Sequence, residues 1–264
     1  MCFVAVAVNC HADFPFIVAA NRDEYFARPS LGIHIWDTPV PVIAGKDLSA
    51  GGAWLGLSTD GRFAALTNCR SKLVTSRPGE LSRGDLVRKF LEKDPKILGA
   101  IKNGDLRQDH RYGGFNLITG SIKRLDIVSN TSALTEELTE GVKTLSNHTP
   151  DTVWPKTRFG GKKFETIIDS NTNQNKLQSG LFSFLTDSNP VDNVKSLEDS
   201  SDHLKRVIFA RGEQYGTRAS TVILVDANLK ATITEKIFGP LGIQTESHSI
   251  KLSLSFTPQE SHPT

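Results

Sequence analysis

The sequence has little cysteine and no closely spaced cysteine pair. Its 264 residues include three cysteines, Cys2, Cys10 and Cys69. Because they are odd in number, widely separated and form no CxxC motif, they argue against a disulfide framework and a structural zinc site. We therefore expect a reducing, cytoplasmic environment and no bound metal.

The sequence also lacks an excess of one charge and a long apolar run. Its 31 basic and 29 acidic residues give a formal net charge of +2, whereas a dedicated nucleic-acid binder usually carries a strong basic excess. No apolar stretch approaches the roughly 20 residues of a membrane-spanning helix, and the short apolar N-terminus lacks the basic leader of a signal peptide. No GxGxxG or Walker loop supports nucleotide binding. We expect a globular protein whose partner is a small molecule.

Short apolar runs separated by turn residues predict an α+β protein. The predicted strand pairs are 3–8 with 16–20, 52–57 with 62–67, 115–118 with 125–128, and 220–225 with 231–237. Helices are predicted after Ser82, which can cap the first of them, and over 157–169 and 178–185. Because several strands are apolar at consecutive positions, both faces of each sheet should be covered. We expect one domain over residues 1–246 and a loosely ordered tail over 247–264.

Cys2 is the most informative residue for chemistry. Removal of Met1 would leave a thiol and a free α-amine on the same carbon of Cys2. An α-amine has an ordinary pKa of about 7.7–8.0, so part of it is an unprotonated base near neutral pH. A thiol beside its own base is a compact nucleophile. The alternative is that Cys2 simply begins a buried strand, where a small apolar side chain is common.

The first predicted hairpin places charged residues beside Cys2. If its loop is centred near Ala12, paired residue numbers sum to about 24, and Cys2 faces Arg22 at about 4.5–5.5 Å. An arginine beside a thiol favours the thiolate, and Asp23 can accept a hydrogen bond from the α-amine. The alternative is a solvated hairpin end whose charges have no special role.

Several motifs together resemble the NRDE, or transport-and-Golgi-organisation, protein family. The tetrapeptide that names the family is Asn21-Arg22-Asp23-Glu24. Further blocks at 44–47, 51–56, 61–68, 82–87, 145–147, 154–156 and 215–218 extend the resemblance over most of the chain up to about residue 225. Ala53 stands where we expect Thr or another small residue, which is a mild departure.

This family in turn resembles the N-terminal-nucleophile hydrolases, in particular the penicillin acylase and bile-salt hydrolase branch. The resemblance implies a four-layer αββα sandwich. It matches the catalytic positions to Cys2, Arg22, Asp23, Asn68, Asn147 and Arg218, with Asn130 competing with Asn147. The residues expected to bind the ligand are Asn21, Trp54, Arg62 and Arg70. Seven arginines in or near these blocks favour an anionic ligand: Arg22, Arg28, Arg62, Arg70, Arg77, Arg83 and Arg218.

Three functions follow as hypotheses. The first is a cysteine amidohydrolase that acts on the C–N bond of a small, non-peptide amide and requires no cofactor. The second, which the resemblance implies, is a non-catalytic carrier of haem, acyl-CoA or lipid. Cys2, His11 and His34 are its candidate iron ligands, because Cys thiolate and His both ligate haem iron. The third is a scaffold without a small-molecule ligand.

Overall fold

Two antiparallel β-sheets form the centre of the protein. The computed structural model describes residues 2–69, 81–109, 111–132, 135–149, 152–192 and 203–255. In chain order the strands are β1 (Phe3–Val8), β2 (Phe16–Tyr25), β3 (Ser30–Trp36), β4 (Val42–Asp47), β5 (Leu55–Ser58), β6 (Arg62–Asn68), β7 (Phe115–Ser121), β8 (Arg124–Ser129), β9 (Thr135–Leu138), β10 (Gly141–Ser146), β11 (Tyr215–Val225), β12 (Lys230–Phe238) and β13 (Gln244–Ser253). One sheet has the order β10-β1-β2-β11-β12-β13, and the other runs β3 to β9 in sequence order.

Four α-helices cover the outer faces of the two sheets. They are α1 (Arg83–Leu91), α2 (Pro95–Asn103), α3 (Pro155–Asp169) and α4 (Gln174–Leu185). Helices α3 and α4 pack on the first sheet through residues such as Phe164 and Leu181. Helices α1 and α2 pack on the second sheet through Leu86 and Ile97. The expected four-layer αββα sandwich is therefore confirmed.

Alternation along β1 and β2 decides which side chains face the space between the sheets. Val4, Val6 and Val8 belong to the core between the sheets. Phe3 and Ala5 belong to the core under α3 and α4. Because side chains alternate with period two in a strand, Cys2 and Arg22 continue the side between the sheets, and Asn21 and Asp23 continue the helix side.

The C-terminal boundary differs from the expectation. Strand β13 crosses residue 246 and pairs with β12 from Lys230 opposite Ser253 onward, so residues 247–253 belong to the sheet and are not a loose tail. Ile250 and Leu252 are partly buried against the core between the sheets. The strand lies at the edge of the sheet, and the residues that alternate with its half-buried positions are exposed. Because these exposed residues are serines and a lysine, the sequence does not read as a strand. Residues 256–264 lie outside the described residues.

The start of α1 also differs from the expectation. Ser82 occupies the N-cap position, but its side chain makes no capping hydrogen bond. Helix α4 begins four residues before the predicted 178, where the Asn173 side chain accepts hydrogen bonds from the backbone of Asn175 and Lys176.

Within the described ranges, no helix is both long and apolar enough to cross a membrane.

Candidate functional site

The first hairpin brings Cys2 opposite Arg22. Phe3 pairs with Asn21 and Val8 pairs with Phe16, so the paired residue numbers sum to 24 along β1 and β2. This confirms the predicted register. One residue before Phe3, the same register places Cys2 against Arg22. The apolar runs of both strands fix it, because a slip by one residue would exchange the side chains of the core between the sheets with those of the core under α3 and α4.

The backbone of Cys2 is held by the end of β10. Its nitrogen donates a hydrogen bond to Asn147 Oδ1, and its carbonyl oxygen accepts one from Ser146 Oγ at 2.5 Å. Asn147 Nδ2 donates to the carbonyl oxygen of Asn68 at 2.7 Å, which links this residue to the end of β6. Asn147 therefore accepts the hydrogen bond from the Cys2 nitrogen.

Asn116, which the sequence analysis did not single out, builds the platform under Asn147. Its Nδ2 donates to the carbonyl oxygens of Ser146 at 3.1 Å and His148 at 2.7 Å. Thr67 Oγ1 also donates to the Ser146 carbonyl at 2.8 Å. Asn116 is fully buried. In the sequence it lies within the apolar run of β7, which gives no sign of a polar role. Only the pairing of β6 with β7 reveals its role.

Asn130 is not part of this arrangement. Its Oδ1 accepts a hydrogen bond from the Phe115 backbone at 2.8 Å, and its Nδ2 donates to the carbonyl oxygens of Tyr112 and Gly113 at 3.3 and 3.4 Å. These contacts fix the turn before β7. The structure thus places Asn147 at Cys2 and leaves Asn130 with a local role.

Arg22 and Trp54 lie with Cys2 around a small cavity between the sheets. The guanidinium carbon of Arg22 is 4.4 Å from the centre of the Trp54 ring. The cavity has a volume of about 10 Å³ and an otherwise mainly apolar lining that includes Val4 and Leu66. That volume accommodates about one water molecule. A larger ligand must therefore reach Cys2 from outside this cavity.

Asp47, which the sequence analysis quoted within a motif without a role, organises the arginines. Its Oδ2 accepts hydrogen bonds from Arg22 Nη2 at 2.9 Å and from Arg28 Nε at 2.6 Å. Its Oδ1 accepts from the backbone of Ser49 and Ala50, both at 3.0 Å. Burial raises the pKa of Asp47, but the hydrogen bonds from Arg28 and Ala50 and the charges of Arg28 and Arg22 together hold it below its ordinary value.

Two further arginines extend this positive region. Arg218 Nη1 donates to the carbonyl oxygens of Tyr25 and Arg28. Burial lowers the pKa of Arg218, and the neighbouring Arg22 lowers it further. Arg83 donates to the Gly114 carbonyl oxygen at 3.1 Å. Burial lowers the pKa of Arg83, against the opposing effects of Cys2 and Glu24. Arg22, Arg28, Arg83 and Arg218 therefore surround the same end of the two sheets.

Asn21 and Asp23 face the helix side of the first sheet. Asn21 Nδ2 donates to the carbonyl oxygens of Leu185 at 2.8 Å and Ile208 at 2.9 Å, and its Oδ1 accepts from Ser220 Oγ at 2.6 Å. These contacts anchor the end of α4. Asn21 also lines the Cys2 cavity, and its contact with a ligand stays a prediction. Asp23 is buried, and its Oδ1 accepts a hydrogen bond from Thr217 Oγ1 at 2.7 Å.

Arg62 is not brought to the site. It lies at the end of β6 opposite to Asn68, where it pairs with Asp60 at 3.0 Å and donates to the Phe90 carbonyl oxygen at 2.9 Å. Arg62 belongs to the same motif in the sequence as Asn68. In the extended strand, however, it lies about six residue spacings away from Asn68. Arg70 and Arg77 lie outside the described residues.

The haem-ligand candidates are separated in the structure. His11 Nε2 contacts the Asn171 carbonyl oxygen at 2.9 Å, and its Nδ1 accepts from the backbone of Asp13 and Phe14, both at 3.1 Å. Both ring nitrogens of His11 are therefore engaged. Within the described ranges, no group of three or more His, Cys, Asp or Glu side chains could hold a metal ion.

His34 lines a different, open groove of about 470 Å³. Its Nδ1 contacts the Gly32 carbonyl oxygen at 2.9 Å. The groove is lined by acidic and basic side chains, and Arg88 forms ion pairs with Asp85 and Glu92. The groove is large enough for a small ligand, and its mixed charges indicate no preference for an anion.

Comparison with known proteins shows similarity along nearly the whole chain. Residues 1–240 match the family described as Transport and Golgi organisation 2. The chain is 33% identical to the Transport and Golgi organization 2 homolog of Mus musculus, covering 84% of this chain and 86% of the relative. It is 32% identical to the Bos taurus homolog, covering 90% of this chain and 93% of the relative. The solved structure of the Caenorhabditis elegans N-acylethanolamine-hydrolyzing acid amidase ortholog has a TM-score of 0.49 and 13% identity, covering 84% of this chain and 92% of that chain.

Proposed function

The chain belongs to the Transport and Golgi organisation 2 family, and within that family we propose that it is a Cys2-dependent amidohydrolase of a small, anionic amide. The observation that carries this proposal is the set of contacts that hold the backbone of Cys2 and place an arginine in its cavity. Asn147 holds its nitrogen, Ser146 holds its carbonyl, and Arg22 shares its cavity. A residue that merely begins a strand does not require a hydrogen bond from its nitrogen to an asparagine side chain together with an arginine in the same cavity.

In the proposed reaction, Met1 is removed and Cys2 becomes the N-terminal residue. The Cys2 Sγ attacks the amide carbonyl carbon, and the α-amine accepts the thiol proton. The C–N bond then breaks, the amine product leaves with that proton, and the acyl group stays on Sγ as a thioester. Water hydrolyses the thioester, which releases the carboxylic acid and restores the thiol.

Asn68 is the proposed donor to the oxyanion formed in this reaction. It ends β6 beside Cys2, its carbonyl is fixed by Asn147, and its half-buried side chain has no hydrogen bond to any described residue. An amide donor to an oxyanion typically contributes about 2.7–4 kcal/mol. Asn147 has a positioning role in this proposal, because its Oδ1 accepts the hydrogen bond from the Cys2 nitrogen and its Nδ2 donates to the Asn68 carbonyl oxygen.

The arginines near Cys2 indicate that the proposed substrate carries a negative charge. Arg22, Arg28, Arg83 and Arg218 outnumber the carboxylates of Asp23, Glu24 and Asp47 at this end of the sheets. Guanidinium groups bind carboxylate and phosphate through paired hydrogen bonds. The proposed substrate is therefore a small amide with a carboxylate or phosphate close to the scissile bond.

Hydrolysis by the mature protein tests this proposal. The substrate panel consists of matched N-acyl amides that end in a carboxylate or in the corresponding neutral amide. Mass spectrometry establishes whether the protein begins at Cys2, and chromatography measures release of the acid and amine. We expect the carboxylate members to be hydrolysed preferentially and Cys2→Ala to lose at least about 100-fold in kcat/KM, as expected for loss of a nucleophile.

The matched control is Cys10→Ala, because Cys10 is a half-buried cysteine just beyond the far end of β1. It should hydrolyse the substrates at the parent rate. A mature protein that keeps Met1, or a Cys2→Ala variant with parent activity, would contradict the proposal. A titration with haem addresses the carrier hypothesis, for which a Soret shift abolished by Cys2→Ala would be the supporting result.

A further inference from the structure

Lys156 is a buried lysine at the start of α3, close to the Cys2 end of β1. It is the second residue of the helix, and its exposure is 0%. Gly160, one turn further along, faces Phe3 so closely that an added Cβ would lie 3.2 Å from the Phe3 ring. Because residues four apart share a helix face, Lys156 lies on the α3 face that packs against the residues next to Cys2.

The ammonium group of Lys156 has no hydrogen-bond partner among the described residues. Lysine is almost never fully buried unless it is paired, since an unpaired buried charge is costly. The group therefore does not serve stability. Burial holds the pKa of Lys156 below its ordinary value, although the charges of Asp23 and Cys2 act in the opposite direction.

The charged side chains near Lys156 and Cys2 indicate on which residue the Lys156 ammonium acts. Asp23 faces the helix side of the sheet, where Thr217 supplies its Oδ1 with a hydrogen bond. Two other cations near Cys2, Arg22 in the cavity and Arg83 at the start of α1, lie on the side of the second sheet. Lys156 is a cation on the opposite side, within the helix layer.

We propose that Lys156 is a positioning residue of the Cys2 site, whose buried ammonium favours the thiolate of Cys2. This inference rests on the reactivity proposed for Cys2, but not on hydrolysis of a particular amide. It assigns a role to the lysine of the Trp154-Pro155-Lys156 block, which the proposed reaction does not use.

Alkylation of Cys2 tests this role without any substrate. Iodoacetamide reacts with the thiolate, and mass spectrometry of the Cys2 peptide separates its labelling from that of Cys10 and Cys69. For Lys156→Met in the full-length protein, we expect the alkylation rate at pH 7 to fall about tenfold and the pH midpoint of labelling to rise by about one unit, which are two measures of the same change. The variant should melt at or above the temperature of the parent, because it removes an unpaired buried charge.

Two further variants make the result decisive. Lys162→Met removes an exposed lysine from the same helix and should leave the labelling profile unchanged. Lys156→Arg keeps the positive charge and should retain most of the labelling rate. The inference is overturned if Lys156→Met labels like the parent, if it melts well below the parent, or if a folded Lys156→Arg loses as much labelling as Lys156→Met. Absence of amide hydrolysis together with a shifted labelling profile would reject the proposed function and leave this inference standing.

Discussion

Single residues at this site act by holding other residues in place, and Asp47 is the clearest case. Its carboxylate joins Arg22, which is 7% exposed, to Arg28, which is 37% exposed. For Asp47→Asn we expect the free energy of unfolding to fall by about 2–4 kcal/mol, because the buried guanidinium of Arg22 loses its counter-charge. Urea denaturation followed by circular dichroism measures this change.

Asp126→Asn is the control for Asp47→Asn. Asp126 lies 3.7 Å from Arg124 in an ion pair whose side chains are 46% and 59% exposed. Exposed pairs of this kind contribute about 0–1 kcal/mol. Equal losses of stability in the two variants would show that Arg22 does not depend on Asp47.

At the scale of elements, α1 is docked on the second sheet by a contact between two glycines. A Cβ added at Gly52 would lie 2.3 Å from the Gly84 carbonyl carbon, and the Ala53 backbone donates to the Gly84 carbonyl oxygen at 3.1 Å. For Gly52→Ala we expect a loss of about 1–3 kcal/mol in the free energy of unfolding, since backbone must move to make room. The displaced helix start carries Arg83, so the labelling rate of Cys2 should also change.

Gly99→Ala supplies the opposite outcome on the neighbouring helix. Gly99 lies within α2 and has nothing within 4 Å of an added Cβ. Alanine in place of glycine inside a helix stabilises by about 0.5–1 kcal/mol. Thermal or urea denaturation of the two variants should therefore give changes of opposite sign, and a stabilising Gly52→Ala would contradict the close approach of α1.

The elements that the sequence predicts are those fixed by local contacts. The hairpin of β1 and β2 and the pair of β5 and β6 around Asp60-Gly61 follow from apolar runs and turn residues. Strand β10 and the platform under Asn147 depend on contacts far apart in the chain, such as Asn116 with His148. For that reason the sequence predicts Cys2 beside Arg22 but does not distinguish Asn147 from Asn130. Asp47 and Lys156 carry no local signal of their roles.

At the scale of the whole molecule, a buried carboxyl group links the two sheets. Glu235 in β12 is 0% exposed. Its Oε1 accepts a hydrogen bond from the Ile33 backbone at 2.8 Å, and its Oε2 accepts one from Thr221 Oγ1 at 3.0 Å. Because Ile33 belongs to the second sheet and Thr221 to the first, the protonation of one side chain affects how the sheets are held together.

Stability should therefore depend on pH through Glu235. Burial raises the pKa of Glu235 to about 7, although hydrogen bonds from Ile33 and Thr221 and the charges of His248 and Arg22 act in the opposite direction. Between its ordinary pKa of 4.5 and about 7, the folded protein binds more protons than the unfolded chain, so the free energy of unfolding falls as pH rises. The shift corresponds to about 3 kcal/mol.

Urea denaturation at several pH values, compared between the parent and Glu235→Gln, measures this dependence. Glutamine keeps the shape and an acceptor for the Ile33 backbone but cannot ionise, so the variant should lose most of the fall between pH 4.5 and 7 and should exceed the parent in stability at pH 8. Glu165→Gln, at an exposed position on α3, should keep the parent's dependence. A Glu235→Gln variant that follows the parent's pH profile would show that Glu235 ionises without cost between the sheets, and His248 would then be the next group to replace.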